Sequence, residues 1–99
     1  MHMQQRTLMQ RQILVQLENL ISKLKLQSPE FSDLDCIILP GYAGGSSYVI
    51  EISQGRFSRR VIVDPRMIEH LQSAQFDANL LQEVRNAMRT IARWVSERK

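Results

Sequence analysis

The sequence predicts an α+β fold of order α-β-β-β-α(α): a three-stranded antiparallel meander packed on one face by a long N-terminal helix and C-terminal helices. Three observations carry that expectation. Apolar residues recur at helical spacing through the first quarter of the chain and again through the last third. Between them, two β-rich runs flank a glycine-containing turn. No segment repeats and no tract is of low complexity, so residues 1–99 read as one domain.

The first helix is expected over residues 3–26. Met9, Ile13, Leu17, Leu20 and Leu24 form its stripe, widened by Leu14 and Ile21. Its interior has neither glycine nor proline, and Ser28-Pro29 stops it. At about 100° per residue, Leu8, Val15 and Leu26 fall almost opposite that stripe. One face packs on a core; the other is free for a partner.

Residues 30–34 read as a connector that turns Phe31 and Leu34 inward. The run "DCIIL", 35–39, is a short strand ending at Pro40, which has no N–H for a ladder. The loop 40–47, "PGYAGGSS", leads into "YVIEIS" and "RFSRRVIV", which meet at a hairpin around Gln54-Gly55 and complete a sheet over 35–63. Pairing Ile52 with Phe57 puts Tyr48, Ile50, Ile52, Phe57, Val61 and Val63 on one face, and Val49, Glu51, Arg60 and Ile62 on the other. Arg59 is the misfit: alternation sends it to the apolar side, so it either reaches out at the rim or sits on a bulge.

The remainder, 65–97, is expected to be helical, either as a short helix over 65–73 and a long one over 77–97, broken near 74–77, or as one helix with a kink. Asp64 caps a short helix with Pro65 in its first position. Asp77 caps a long one, with Phe76 able to staple onto Leu81. In that second helix Leu80, Leu81, Val84, Met88, Ile91 and Val95 form one arc, with Trp94 at its margin.

Composition excludes more than it assigns. The chain is 43% hydrophobic and 23% charged, ordinary for a globular domain. Its formal charge of +3 is compatible with nucleic acid but falls short of the bias that would argue for it. Cys36 is the single cysteine, so one chain can form neither a disulfide nor a thiolate metal cluster. No apolar run approaches the roughly 18 residues of a membrane span, and the polar start lacks a signal-peptide core. The expectation is a cytoplasmic protein with no membrane contact.

The Gly/Ser loop is the first place to look for chemistry. A phosphate cradle needs tightly aimed amides opening a helix, and here a strand follows. "GYAG" matches the bare G-x-x-G of KH domains, but it is uncharged and joins strands. A pocket beneath the loop around Tyr42 and Tyr48 remains a candidate for ligand capture. The α-β-β-β-α order is shared with double-stranded-RNA-binding domains, whose last helix starts with clustered lysines; here it starts "DPRMIEH", so the likeness stays an analogy. Asp33 and Asp35 suit the entry to a strand. Cys36 suits a small buried hydrophobe. His2 and His70 have no helical ligand mate, and Ser46 and Ser47 lack a nucleophile elbow. No catalytic residue, metal ligand or cofactor site is expected, and the chain is read as no enzyme.

Two surfaces remain. Leu8, Val15 and Leu26 on the first helix, with Val49 and Ile62 on the second sheet face, are candidates for an oligomer interface, most simply a homodimer. Arg85, Arg89 and Arg93 form a stripe on the last helix with no glutamate four positions before any of them and only Glu97 following, four after Arg93; Arg59 and Arg60 could extend the stripe. That stripe could meet a protein partner, or, as the alternative, nucleic acid. The leading expectation is a small, non-catalytic, self-associating protein-interaction module.

Overall fold

The computed structural model describes residues 2–41, 47–73 and 77–98; the side chains of residues 2–10 and of Gln72 lie outside the described set. The element order is α1 (His2–Gln27), a single 3-10 turn (Pro29–Phe31), β1 (Asp35–Pro40), β2 (Tyr48–Gln54), β3 (Phe57–Val63), α2 (Pro65–Gln72) and α3 (Ala78–Glu97). The mixed α+β fold and its antiparallel sheet of order β1-β2-β3 match the sequence expectation.

Helical periodicity sorts α1 as expected: Ile13, Leu17, Ile21 and Leu24 are buried, while Leu14 and Leu20 pack half-buried beside them. Ser28 ends the helix by turning extended, at φ −140° and ψ 125°, the conformation that a following proline favours. The 3-10 turn then carries Phe31 into the core, and Leu34 follows it. Ser32 donates to the Pro29 carbonyl twice, from its N–H at 3.1 Å and from Oγ at 2.7 Å, closing the turn.

One detail of the hairpin differs from expectation. Gln54 pairs with Phe57 and Ile52 with Arg59, so the turn is made by Gly55 and Arg56 rather than by Gln54 and Gly55. Gly55 has φ +61°, and a positive φ at the first turn position gives the backbone twist that matches paired strands. Moving the turn by one residue shifts every cross-strand partner by two. Side-chain period is also two, so the faces are unchanged. The ladder runs unbroken from Tyr48↔Val63 to Gln54↔Phe57. Arg59 therefore sits in regular register and exposed at the rim, with no bulge.

Tyr48, Ile50, Ile52, Val61 and Val63 on the inner face are all buried, and α3 supplies Leu80, Val84, Ala87, Met88 and Ile91 against them. Each fully buried aliphatic side chain of this set contributes roughly 1.5–3 kcal/mol relative to exposure. Two caps set the helix starts. Asp64 Oδ1 accepts the Met67 N–H at 2.8 Å, and Asp77 Oδ1 accepts that of Leu80 at 2.9 Å. The expected break between the helices is bounded by Ser73 and Asp77. The Phe76 staple lies outside the described residues.

Candidate interaction surfaces

With the helices on one face, the other face of the sheet has no element packed on it among the described residues. Register lines up Leu39, Val49 and Ile62 as one cross-strand row, with Ile37, Glu51 and Arg60 as the next. Ile62 is 64% and Ile37 50% exposed. Val49 lies on this face as expected but is only 9% exposed, because it sits in the central strand between Leu39 and Ile62. It is the floor of the patch rather than a contact residue. Ile37 and Leu39 belong to the patch too. Their place was hidden in "DCIIL", where three successive apolar residues give no alternation to say which face each takes.

The pair Glu51–Arg60 closes within one chain: Arg60 Nε lies 3.5 Å from Glu51 Oε1. Neighbouring strands bring the two side chains together, so the polar part of this face already has its charge balanced. An ion pair this exposed contributes little to stability.

The candidate interface residues do not form one surface. Val15, 52% exposed, and Leu26, 87% exposed, lie on the side of α1 opposite its buried stripe. Val49 and Ile62 belong to the sheet face turned away from the helices. Leu8 falls among the residues whose side chains are not described.

The arginines divide in the same way. Arg85 Nη2 makes a long 3.5 Å contact with Gln27 Oε1 at the end of α1, whereas Arg89 and Arg93 point outward and are exposed. Arg59 and Arg60 instead border a cleft of about 500 Å³ between β3 and α3, whose helix wall is Glu83, Asn86, Ala87 and Thr90. Arg85, Arg89 and Arg93 are not in that wall. A continuous basic patch across hairpin and helix is not formed.

The Gly/Ser loop is tied at its base by a hydrogen bond from Gly41 N–H to the Ser47 carbonyl, at 2.9 Å. A Cβ on Gly41 would collide with Ser47 Oγ and approach the Ser47 carbonyl oxygen to 2.9 Å, so the closure needs glycine here. Tyr42 and residues 43–46 lie outside the described residues, and with them the proposed pocket; burial alone raises the pKa of Tyr48. Cys36 is half-buried against the core, and burial pushes its thiol up more than the nearby Lys25 charge pulls it down. Among the described residues no three His, Cys, Asp or Glu side chains are placed to hold a metal, and no helix is long and apolar enough to cross a membrane.

One polar contact was not legible beforehand. Asp77, 9% exposed, uses Oδ2 to meet His70 Nδ1 at 2.7 Å while Oδ1 caps α3. Burial works to raise its pKa. The N–H of Leu80, the hydrogen bond and charge of His70 and the N–H of Asn79 together outweigh it and hold the carboxyl below its usual range. The seven-residue spacing across a helix break gave no periodic signal for this pair.

Comparison with protein-family models, curated proteins and solved structures gives no match for this chain.

Proposed function

We propose that this chain is a non-catalytic interaction module that self-associates through the outer face of its sheet. The observation that carries the reading is the apolar row Leu39–Val49–Ile62, extended by Ile37, on a face with no covering element among the described residues. A two-fold axis in the plane between two such faces sets each row against its own copy, the isologous arrangement of most dimers. Sheets packed this way stack about 10 Å apart with their inner side chains interdigitated.

Size bears on the kind of dimer. Three strands about 4.8 Å apart and six residues long at about 3.3 Å per residue present a face of roughly 14 by 20 Å. That is on the order of 300 Å², well under the roughly 800 Å² per partner of a standard interface. A face this small fits a reversible dimer rather than an obligate one.

A variant pair separates this face from α1. Ile37→Glu with Ile62→Glu abolishes association as read by light scattering, and Val15→Glu with Leu26→Glu leaves it intact. The opposite pattern moves the interface to α1, and loss of association in neither pair removes the reading.

A further inference from the structure

In a sheet of order β1-β2-β3, the outer edge of β3 has no strand partner among the described residues. Free edges of this kind pair promiscuously unless something opposes it. Here two arginines sit in mid-strand, Arg59 on the helix-facing side and Arg60 on the other, and both are exposed. A second copy adding antiparallel in a register centred on Arg59 and Arg60 would bring arginine against arginine, and like charges directly opposite are destabilising. The edge is thus guarded against itself.

It is also bounded by a cleft. Four consecutive residues of β3, Arg59 to Ile62, form one wall, and α3 forms the other along Glu83, Asn86, Ala87 and Thr90. Val61, Met67 and Ala87, all buried, make an apolar floor. The two walls run antiparallel. Trp94 packs on Phe57 at 5.9 Å between ring centroids, and from that anchor the helix leads back through Thr90 to Glu83 as the strand leads forward through Arg59 to Asp64. The cleft is consequently polarised: Arg59 and Arg60 stand at the Phe57–Trp94 end, and Glu83 and Asp64 at the other. Arg59 has no ion-pair partner among the described residues.

We infer that the free edge of β3 accepts an extended segment of a partner protein as a fourth strand, with a basic residue preceding an acidic one by four positions. Main-chain hydrogen bonds to the edge supply affinity, and alternate side chains supply specificity. Added antiparallel, the segment sets its acid opposite Arg59, an apolar residue opposite Val61 over the floor, and its base opposite Val63 beside Glu83 and Asp64. Four strand positions cover about 13 Å, the distance over which the charge changes sign. The inference rests on the interaction-module reading and adds to it where a second protein docks and what chemistry it brings.

The test is an amide NMR titration of the full chain with the blocked peptide KTVTE at millimolar concentration, alongside the charge-exchanged ETVTK. KTVTE shifts resonances in 59–64 and 83–90, and ETVTK binds about tenfold more weakly, since two attractive pairs become repulsive. Arg59→Glu, at an exposed position, cancels the preference, because each peptide then makes one attractive and one repulsive pair; Glu83→Gln weakens KTVTE without abolishing it. Equal binding of the two peptides by the wild type, no binding, or shifts confined to other surfaces overturns the inference. So does reproduction of the same shifts by a mixture of lysine amide and glutamate amide, which marks a small-molecule cleft instead. Light scattering on the same samples keeps the two claims apart: a dimer that ignores both peptides contradicts this inference alone, and a monomer that binds KTVTE contradicts self-association alone.

Discussion

His70 Nδ1 lies 2.7 Å from Asp77 Oδ2, and this contact joins the last turn of α2 to the N-cap of α3. Asp77 is thus both a cap and a tie between helices. Asp77→Ala removes both functions and is expected to lower unfolding free energy by about 1–2 kcal/mol. Asp77→Asn keeps an acceptor for the Leu80 N–H but loses the charge facing His70, and falls between the two. Urea unfolding of the three proteins near neutral pH checks the order.

The same carboxylate gives a pH signature with a definite sign. Its pKa is depressed in the folded chain, so its ionised form stabilises the fold. That contribution is fully present above the unfolded aspartate value of about 3.9 and is lost as pH falls through the lower folded value. The stability gap between the wild type and Asp77→Asn should therefore narrow as pH falls below about 4. A gap that widens on acidification contradicts the assignment.

Gly41→Ala tests the closure of the Gly/Ser loop. The new methyl meets the Ser47 side chain, which can rotate away, and the Ser47 carbonyl, which is backbone and cannot. The expected cost is about 1–3 kcal/mol by urea unfolding, the range for overpacking. Adding Ser47→Gly should recover only part of it. Full recovery would show that Ser47 Oγ alone requires the glycine.

Cys36 should react slowly. Burial raises its thiol pKa, opposed by Lys25 and reinforced by Asp35, so thiolate is scarce near neutral pH. Alkylation of the native protein with iodoacetamide at pH 7.5 is expected to run at least about tenfold slower than in denaturant. Equal rates would place the thiol in solvent.

These expectations show where sequence was a sufficient guide. The helix α1 was legible because its apolar period of 3.6 runs unbroken from Ile13 to Leu24, and both caps were legible because Asp64 and Asp77 stand just before periodic runs. The hairpin faces were legible but the turn was displaced by one residue. Alternation fixes parity, whereas the turn position depends on which residue adopts φ > 0, and Gly55 takes the first place rather than the second. Surfaces were harder. Alternation puts Glu51 and Arg60 on one face, but that they meet as an ion pair follows from the register of β2 on β3, which alternation alone does not give. The stripe Arg85–Arg89–Arg93 follows from helical spacing; its separation from Arg59 and Arg60 depends on how α3 lies against β3, which no local pattern encodes.

Self-association through the sheet is the central claim, and the mass of the protein in solution addresses it most directly. Light scattering across a concentration series into the high micromolar range should show a weight-average mass rising from the 11.5 kDa of one chain toward twice that value. Ile62→Glu should hold the mass at that of one chain while leaving the thermal unfolding midpoint within a few degrees, because Ile62 is 64% exposed. A wild-type mass that stays at one chain throughout, or an Ile62→Glu protein that associates as the wild type does, would contradict the account.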